Sequence, residues 1–598
     1  MQRGETTVSR RTFVRLGVGT GAGLLIAACS SPTPGAAPTS PAATSAAAAS
    51  KPAAAATTSA APTPAPTIIG AAASGKNSQA LPNYIPPNLL AKPDYDAHDP
   101  RVTLGWDNYP KNPPTSWNKP APGTGSTVNA FAVDYYPPPA PYEQNPTWQA
   151  VNKALNSDFQ MTQVAGTDYQ LRMATMMAGN DIPDIIHLYF GITGPFVPPG
   201  TAEFVKAKCQ DLTQFLAGDA IKDYPNLAAI PTYAWSNSAC AIDGALYSWP
   251  IHRYLGGLNY FFKNTDMWNE KIGANTSPKN ADDLKRMVTQ LNDPNNGVWG
   301  FGGQLQARNM GILGFAMMFG APNTWGLDAS GKVIRDRETD QFKAAVAYVR
   351  DLWTSGLYWT DAPTSTDQRA NFVGKKFAVC IEGFGNSWND FWLRGLQQQP
   401  PTNFDIILPF SADANTKVQG YITGGYISTN VMKKASPDRV KEILRIVDYL
   451  AKPFGTQEDL LITYGLAPAD YTIASDGNPS LTTDGKLRSQ YVPWQYISDR
   501  PYATYYAGIP DYAKHVNQIE TALVDPKLAV ADVTLGYYSP TQAASAGKQA
   551  EQAFLDGLNN ILVARNPVSD YDQLVKDWQN SAGNKIKQEY NDAIAGGH

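Results

Sequence analysis

The chain has 598 residues, too many for one compact domain of the usual size, which is roughly 100–200 residues. Hydrophobic residues make up 43% of it, enough for a substantial core, and the formal net charge is −4. No global basic field therefore favours a nucleic acid as partner.

The first 28 residues have the pattern of an export signal. The pair Arg10 and Arg11 precedes a short apolar stretch that ends at Ala28, and Cys29 follows. This stretch is shorter than the about 20 apolar residues that a membrane-spanning helix needs. The arginine pair resembles a twin-arginine signal, and residues 26–29 (Ile-Ala-Ala-Cys) resemble a bacterial lipobox. The resemblance implies cleavage before Cys29, lipidation of its thiol and anchoring to the outer face of the cell membrane.

Residues 29–95 are expected to form the lipidated cysteine and a disordered tether. Residues 30 to about 75 are almost entirely Ala, Pro, Thr and Ser, and such a composition cannot bury enough apolar surface to offset its ordering entropy. Residues 76–100, rich in Pro and Asn, are expected to continue the tether or to lie along the surface of a folded body. A flexible chain of about 60 residues reaches on the order of 45 Å, which holds that body clear of a membrane.

Beyond residue 100 the sequence alternates between strand and helix patterns. In chain order the first predicted elements are a strand at 128–133, a helix at 146–155 capped by Asn145, a strand at 159–164, a helix at 169–178 and a strand at 184–188. In the helix at 169–178, Leu171 and Met177 share one face. This order predicts an α/β lobe with a mostly parallel sheet.

The same alternation recurs in the second half of the chain. The predicted strands are 258–262, 377–381 and 404–408, and the predicted helices are 281–291, capped by Asn280, 339–352 and 437–450. A second α/β lobe is therefore expected.

The cysteines and histidines point to structure more than to chemistry. Cys209 and Cys240 are candidates for a disulfide in an oxidising compartment. Cys380 and His187 lie in apolar strands, and we expect a small core residue and a core histidine with its hydrogen bonds satisfied. The sequence contains no phosphate-binding loop, paired-histidine zinc motif or serine elbow, so no metal and no cofactor is expected. A hydrolytic pair of carboxylates stays open.

Six short segments between about residues 160 and 594 carry a family resemblance. In order they are Gly179 to Pro183-Asp184 after a helix, Asp211-Leu212-Thr213, Asp243-Gly244 to Trp249-Pro250, residues 258–264, Phe372 to Ala378 with Gly374-Lys375, and residues 568–591. Each motif is weak by itself, and Ala245 stands where the third motif usually has Lys. Together, behind an export signal, they resemble the extracellular solute-binding proteins of bacterial ABC importers, the branch similar to maltose-binding protein.

This resemblance implies an α/β fold with two discontinuous lobes and a hinge cleft. We expect residues 96–256 and 417–452 in lobe 1, and residues 257–416 and 453–598 in lobe 2. It further implies a monomer that closes on a small-molecule ligand, an oligosaccharide by expectation, and delivers it unchanged to an ABC permease. A receptor for a peptide or another polar solute stays open, as does a lipid-anchored carbohydrate-active enzyme.

The ligand is expected beyond the carboxyl ends of the strands, where open α/β sheets bind their ligands. Aromatic rings there would stack on the apolar faces of sugars, while carboxylates and amides would bind hydroxyl groups. The candidate ligand-binding residues are Tyr135, Tyr136, Tyr189, Trp249, His252, Tyr254, Glu382, Phe384, Trp388, Gly425, Tyr426 and Trp494. No catalytic residue and no metal ligand is assigned.

Overall fold

The computed structural model describes residues 76–179, 181–257, 259–303, 311–365, 367–384, 386–509 and 511–596. All of them belong to one unit of the chain, residues 65–598. The predicted export signal, the predicted lipidation site Cys29 and the tether up to residue 75 lie outside the described residues. In the part of the chain that is described, no helix is long and apolar enough to cross a membrane.

Nine strands build two main sheets. They are β1 Thr127–Asp134, β2 Asp158–Ala165, β3 Ile185–Tyr189, β4 Ser248–His252, β5 Tyr260–Asn264, β6 Trp299–Gly302, β7 Phe377–Glu382, β8 Phe404–Ile407 and β9 Tyr426–Met432.

The first sheet has the strand order β2-β1-β3-β9-β4. Strands β1, β2 and β3 are parallel, and β9 runs antiparallel to both β3 and β4. Strand β4 therefore points the same way as the first three. The carboxyl ends of β1 to β4 meet at one edge of the sheet, together with the amino end of β9.

The second sheet has the order β8-β5-β7-β6, in which β5 is antiparallel to β7 and β8, and β6 is parallel to β7. The carboxyl ends of β6, β7 and β8 therefore meet at one edge, together with the amino end of β5. The chain passes from the end of β4 at His252 to the start of β5 at Tyr260, so it links the carboxyl edge of the first sheet to that of the second.

Ten shorter strands form five two-stranded ladders. The pairs are Leu104–Trp106 with Ala503–Tyr505, Ala241–Ile242 with Ala245–Leu246, Trp325–Leu327 with Val333–Arg335, Gly420–Tyr421 with Ala529–Val530, and Tyr471–Ile473 with Pro479–Leu481. The pair at residues 420 and 529 is parallel and joins segments that pass between the lobes.

Helices cover the faces of both sheets. The α-helices are Lys76–Gln79, Pro146–Leu155, Tyr169–Ala178, Thr201–Lys208, Thr213–Leu216, Pro225–Ala228, Thr232–Asn237, Thr265–Lys271, Ala281–Leu291, Gly311–Met318, Asp340–Thr354, Gln368–Val373, Asn386–Leu396, Pro437–Leu450, Gln457–Tyr464, Thr483–Gly485, Trp494–Ile497, Tyr512–Leu523, Pro540–Ala543, Ser545–Leu562, Tyr571–Trp578 and Asn584–Gly596.

Several helix boundaries match their prediction because they rest on local chemistry. The side chain of Asn145 accepts a hydrogen bond from the Trp148 amide at 3.0 Å, and Asn280 caps its helix through the Asp283 amide at 2.8 Å. The helix Tyr169–Ala178 forms as predicted, but the face that carries Leu171 is not its buried face, since Leu171 is 73% exposed. Tyr169 is buried instead, and its hydroxyl donates to the His187 carbonyl, which fixes the rotation of this helix.

Lobe 1 has a hydrophobic core on each face of its sheet, because successive strand residues point to opposite faces. Val128 and Ala130 of β1 belong to one core, and Phe131 and Val133 belong to the other. Lobe 2 is built around a single large core that contains β5, β7 and the buried side chain of Trp578.

The segment after residue 452 does not follow the expected division between lobes. Ile462, Trp494 and Ile497 pack in the core of lobe 1, and the Trp494 ring lies 5.3 Å from Phe159. The physical reason is apolar burial, because these side chains complete the core face of the first sheet. We therefore propose that residues up to about 498 belong to lobe 1, whereas Trp578 packs in the core that contains the second sheet.

Residues 76–95 also depart from the predicted tether. Ala80 and Leu81 are buried in the lobe 1 core. The amide of Asn83 donates to the Gly218 carbonyl at 3.1 Å, and the amide of Ile85 donates to the Ala228 carbonyl at 2.9 Å. This segment lies along the surface of lobe 1, which was the other outcome that the composition left open.

The predicted disulfide between Cys209 and Cys240 is wrong. Both cysteines are buried and free. Cys209 lies in the core that contains Phe131, and Cys240 lies in the core that contains Val128, so the sheet separates them. Cys380 is buried in the core of lobe 2, as predicted.

Reducing agent is therefore expected to leave the thermal unfolding midpoint unchanged, because there is no disulfide between Cys209 and Cys240 to reduce. Loss of a native disulfide would instead cost about 2–5 kcal/mol and lower the midpoint. The midpoint should be measured with and without dithiothreitol. In denaturant without reductant, Ellman's reagent should detect the thiols of Cys209, Cys240 and Cys380. If the thiols became reactive only after reduction, and the midpoint fell with reduction, the predicted disulfide would be supported after all.

Candidate functional site

Exposed tyrosines stand where β1 ends. Tyr135 is 45% exposed and Tyr136 is 38% exposed, although large aromatic side chains usually bury most of their surface. The ring of Tyr135 contacts Tyr189, at the end of β3, edge to face at 5.6 Å. The ring of Tyr136 stacks on Tyr491 at 5.4 Å.

A loop after β3 extends this group of rings. Phe196 stacks on Tyr189 at 4.7 Å, and Phe190 contacts both of them. Phe190 has a φ of 60°, a left-handed conformation that costs a non-glycine residue of order 1–3 kcal/mol. We call the rings of Tyr135, Tyr136, Tyr189, Phe190, Phe196 and Tyr491 the aromatic rim.

Asp134 fixes the turn that presents the two exposed tyrosines. Its carboxylate accepts a hydrogen bond from the Tyr136 amide at 2.9 Å, and its side chain is nearly buried. Burial raises the pKa of Asp134, and the backbone hydrogen bonds oppose that rise.

A charged cluster lies beside the rim. The guanidinium of Arg253, the residue after β4, is 3.5 Å from the carboxylate of Asp499. The same carboxylate is 3.4 Å from Lys452 and 3.7 Å from Arg500. Burial acts to raise the pKa of Asp499, but the three cations outweigh it and hold that pKa below its ordinary value.

His252 is a structural brace in this conformation. One ring nitrogen, Nε2, is 2.8 Å from the Tyr233 hydroxyl, and the other, Nδ1, accepts a hydrogen bond from the Tyr502 amide at 2.8 Å. Burial, and then the charge of Arg253, lower the pKa of His252 to about 3. A neutral ring is required because Nδ1 accepts from an amide.

Three other predicted ligand residues are core residues. Trp249 is fully buried and donates from Nε1 to the Ile497 carbonyl at 2.9 Å. Trp494 is 2% exposed and packs under β2. Phe384 is 1% exposed and packs against Tyr254, which is itself buried where the chain leaves lobe 1. Apolar burial explains these positions, and Trp249, Trp494 and Phe384 therefore add no exposed surface to the site in this structure.

On lobe 2 the predicted residue Glu382 lies at the end of β7. It is 2% exposed, accepts a hydrogen bond from Gln368, and holds the guanidinium of Arg369 at 3.3 Å. Arg369, one-third exposed, also lies 3.6 Å from Asp390. Glu382 thus orients an arginine at the lobe edge. The backbone of Trp388 lies in the helix Asn386–Leu396, and its side chain is outside what the structure describes.

Three segments run side by side between the lobes. The amide of Thr423 donates to the Leu255 carbonyl at 2.8 Å, and the amide of Ile422 donates to the Val530 carbonyl at 3.0 Å. Gly425, with a φ of 75°, accepts from the Arg253 amide just before Tyr426 begins β9. We call residues 253–257, 420–425 and 528–532 the crossing segments.

The lobes also touch away from the crossing segments. The hydroxyl of Tyr538 is 3.2 Å from the carboxylate of Glu203, and Lys548 donates to the Val197 carbonyl. Because Val197 follows Phe196 directly and Glu203 lies in the helix after that loop, these contacts lie at the margin of the aromatic rim.

His187 is buried as predicted, but its hydrogen bonds are not satisfied. Among the described residues neither ring nitrogen has a hydrogen-bond partner. Burial, and then the charge of Arg253, lower its pKa to about 3. Its ring packs 5.7 Å from Tyr496, beneath the rim.

Sequence reasoning missed Phe196, Tyr491, Tyr496 and Arg253. Tyr491 and Tyr496 come from a segment about 350 residues after β1, and only the fold brings them to the rim. Arg253 could have been predicted from the sequence, because it lies between the candidate residues His252 and Tyr254. In the part of the chain that the structure describes, no group of acidic, histidine and cysteine side chains could hold a metal ion.

Comparison with known proteins identifies this arrangement. Residues 148–488, more than half of the chain, match the bacterial extracellular solute-binding proteins. The chain belongs to this family. Its members bind solutes outside the cytoplasm, which agrees with the two lobes of the fold.

Relatives of this solute-binding protein are divergent in sequence. The polygalacturonan/rhamnogalacturonan-binding protein YtcQ of Bacillus subtilis is 25% identical over 395 residues, which cover 63% of this chain and 75% of that protein. Among solved structures, a solute-binding protein of Bifidobacterium longum infantis that binds human milk oligosaccharides (HMO) has a TM-score of 0.57 at 15% identity, covering 79% of this chain and 99% of that one.

The N-glycan transport solute-binding protein of Streptococcus pneumoniae has a TM-score of 0.56 at 13% identity, again covering 79% of this chain and 99% of that one. At these identities the likeness establishes the fold. The solute-binding protein described here therefore has the two-lobed architecture that its sequence predicted.

Proposed function

We propose that this solute-binding protein captures an oligosaccharide between its lobes and delivers it to an ABC-type importer. The observation that carries the proposal is the aromatic rim, where Tyr135 and Tyr136 remain exposed beside polar groups of the cleft. Flat apolar rings next to hydrogen-bonding groups match a sugar, which has apolar faces and a rim of hydroxyls.

The relatives support a saccharide over a peptide. YtcQ is named for binding polygalacturonan, and the two structural relatives are named for milk oligosaccharides and N-glycan. A peptide ligand would be recognised chiefly through backbone pairing at a sheet edge. The aromatic rim instead offers ring faces at the ends of strands.

Lobe closure is the mechanism that the crossing segments support. A ligand held by the rim on lobe 1 and by Arg369 and its neighbours on lobe 2 would favour the closed form, since it binds that form more tightly. Binding without chemistry is supported by the site, because the carboxyl of Glu382 is engaged by Gln368 and Arg369.

The cellular setting follows from the leader. We propose that residues 1–28 direct export, that Cys29 carries a lipid and that residues 30–75 tether the folded body to the outer face of the membrane. The membership of an extracellular family supports export.

Replacing Tyr136 by alanine is expected to weaken oligosaccharide binding about two- to tenfold, because one ring face contributes about 0.5–1.5 kcal/mol. Binding should first be found by thermal unfolding against neutral and acidic oligosaccharides, peptides and polyols, then quantified by calorimetry. A ligand at 100 times its dissociation constant stabilises the fold by about 2.7 kcal/mol.

The matched control is Tyr136→Phe, which keeps the ring and should keep affinity within about threefold. Stabilisation by peptides alone, or recovery of a cleaved oligosaccharide, would contradict the proposed function.

A further inference from the structure

Arg253 is the first residue after β4, at the carboxyl edge of the first sheet. It is 9% exposed, and its guanidinium faces the ring of Tyr502 at 5.5 Å. Its charge also acts on the hydroxyls of Tyr136 and Tyr496, where it opposes the rise in pKa that burial causes. The charge of Arg253 therefore reaches the exposed side chain of Tyr136.

The hydrogen bonds of Arg253 use only one side of the guanidinium. Its Nη1 donates to the His252 carbonyl at 2.7 Å and lies 3.5 Å from Asp499. Among the residues that the structure describes, no acceptor bonds to Nε or Nη2. These two groups form the edge of a guanidinium that binds carboxylates with two parallel hydrogen bonds.

The ion pair with Asp499 does not neutralise Arg253. Asp499 is shared with Lys452 and Arg500, so one carboxylate serves three cations. Arg500 has a second partner in Asp459 at 2.8 Å. The remaining carboxylate near Tyr136, Asp134, accepts the Tyr136 amide and caps its own turn.

From these observations we infer that Arg253 recognises a carboxylate of the ligand. The oligosaccharide would therefore contain uronic acid. This inference rests on the proposed function and names the substrate class within it. Tyr136 would stack on the sugar ring while the free edge of Arg253 binds the carboxylate of that sugar.

A carboxylate suits this position better than a hydroxyl does. A guanidinium that is nine-tenths buried has lost most of its hydration, and only an anion with two acceptor atoms compensates both the charge and the two free donors. A neutral hydroxyl would leave one donor unmatched in a closed cleft, which is costly for a buried polar group.

The first test needs no variant. Binding of trigalacturonate to the full mature protein should be compared by calorimetry with binding of its methyl ester, which keeps the rings and removes the charge. Trigalacturonate is expected to bind at least tenfold more tightly, and its affinity should fall as sodium chloride rises.

The second test uses Arg253→Gln and Arg253→Lys. Arg253→Gln should lower affinity for trigalacturonate at least tenfold and lower affinity for the ester much less, because the ester carries no charge. Arg253→Lys, which keeps the charge but loses the two-donor edge, should fall between. Arg286→Gln is the control, since that arginine is exposed on the helix Ala281–Leu291 and should change nothing. Thermal unfolding of each variant checks that it is folded.

The outcomes separate this inference from the proposed function. Equal binding of acid and ester, or tight binding of neutral oligosaccharides that Arg253→Gln does not alter, would overturn the role of Arg253 and leave an oligosaccharide receptor. Binding of no saccharide at all would overturn both. If Arg253→Gln fails to fold, the comparison of trigalacturonate with its methyl ester on the unmodified protein still tests the inference.

Discussion

Replacing Gly425 by alanine is expected to lower the free energy of unfolding by about 2–5 kcal/mol. A φ of 75° costs a residue with a Cβ about 1–2 kcal/mol, and overpacking a filled site costs about 1–3 kcal/mol more. Both costs apply here, because a Cβ on Gly425 would lie 2.3 Å from Cε2 of Tyr233.

The ring of Tyr233 cannot easily make room. Its hydroxyl is held by His252 at 2.8 Å and donates to the Pro100 carbonyl at 3.1 Å, and the ring is buried in the lobe 1 core. Any shift of this ring would disturb His252 and then Arg253, whose amide bonds to Gly425. We therefore expect the substitution to weaken ligand binding as well as stability.

Gly508→Ala is the matched control for Gly425→Ala. Gly508 has a similar φ of 78°, but no described atom lies within 4 Å of the added Cβ. It should cost only the backbone term of about 1–2 kcal/mol. Chemical unfolding of both variants measures the difference. Equal losses at the two glycines would show that contact with Tyr233 does not matter.

Glu520→Gln is expected to stabilise the protein at pH 8 by up to about 3 kcal/mol and to have little effect at pH 5. Burial raises the pKa of Glu520 from 4.5 to about 7, although hydrogen bonds from Thr103 oppose the rise. The native state therefore binds a proton that the unfolded state releases. The contribution is fully present below pH 4.5 and is lost as the pH rises through 7.

The groups around Glu520 explain why its pKa is raised. Its Oε2 accepts from the Thr103 amide at 2.8 Å and the Thr103 hydroxyl at 2.6 Å, while Oε1 has no partner among the described residues. Of the ionisable side chains that respond to it, Tyr233, Tyr502 and Tyr512 are neutral, and its charge raises the pKa of each of them. Since no cation among the described residues pairs with Glu520, its carboxylate is poorly compensated.

Glu442 is a matched glutamate whose pKa is shifted in the opposite direction. It accepts from the Thr124 amide at 2.8 Å and the Thr124 hydroxyl at 2.6 Å, and it also binds Arg439 at 2.8 Å. Burial acts to raise its pKa, but the hydrogen bonds outweigh burial and lower the pKa to about 2. Its contribution is present above pH 4.5 and is lost as the pH falls through 2.

Glu442→Gln should therefore destabilise the protein at pH 7, and the loss should shrink toward pH 3. Urea unfolding of the protein and both variants between pH 3 and 8 gives the comparison. Glu520→Gln would contradict the interpretation if its effect did not depend on pH. Asp448 and Asp532, whose pKa values burial raises to about 7 and about 6, make the natural protein lose further stability in the same upper range.

The sequence by itself determined much of the secondary structure. Helices such as Pro146–Leu155 and Ala281–Leu291 begin and end where predicted, since Asn145 and Asn280 cap them locally and their apolar residues repeat at helical spacing. The exposed pair Tyr135 and Tyr136 could also be predicted, because ligands bind beyond the ends of parallel strands. Ordered motifs along the chain were enough to indicate the family.

The tertiary structure decided what depends on contacts between distant segments. Leu171 faces solvent because the hydroxyl of Tyr169 binds the carbonyl of His187 in β3. Trp494 lies in the lobe 1 core because its ring packs against Phe159 of β2. Cys209 and Cys240 stay free because a sheet lies between them. Local sequence sets backbone conformation and the apolar face of an element. Which side chains remain exposed at a site depends on the packing of segments hundreds of residues apart, and that packing is a property of the whole fold.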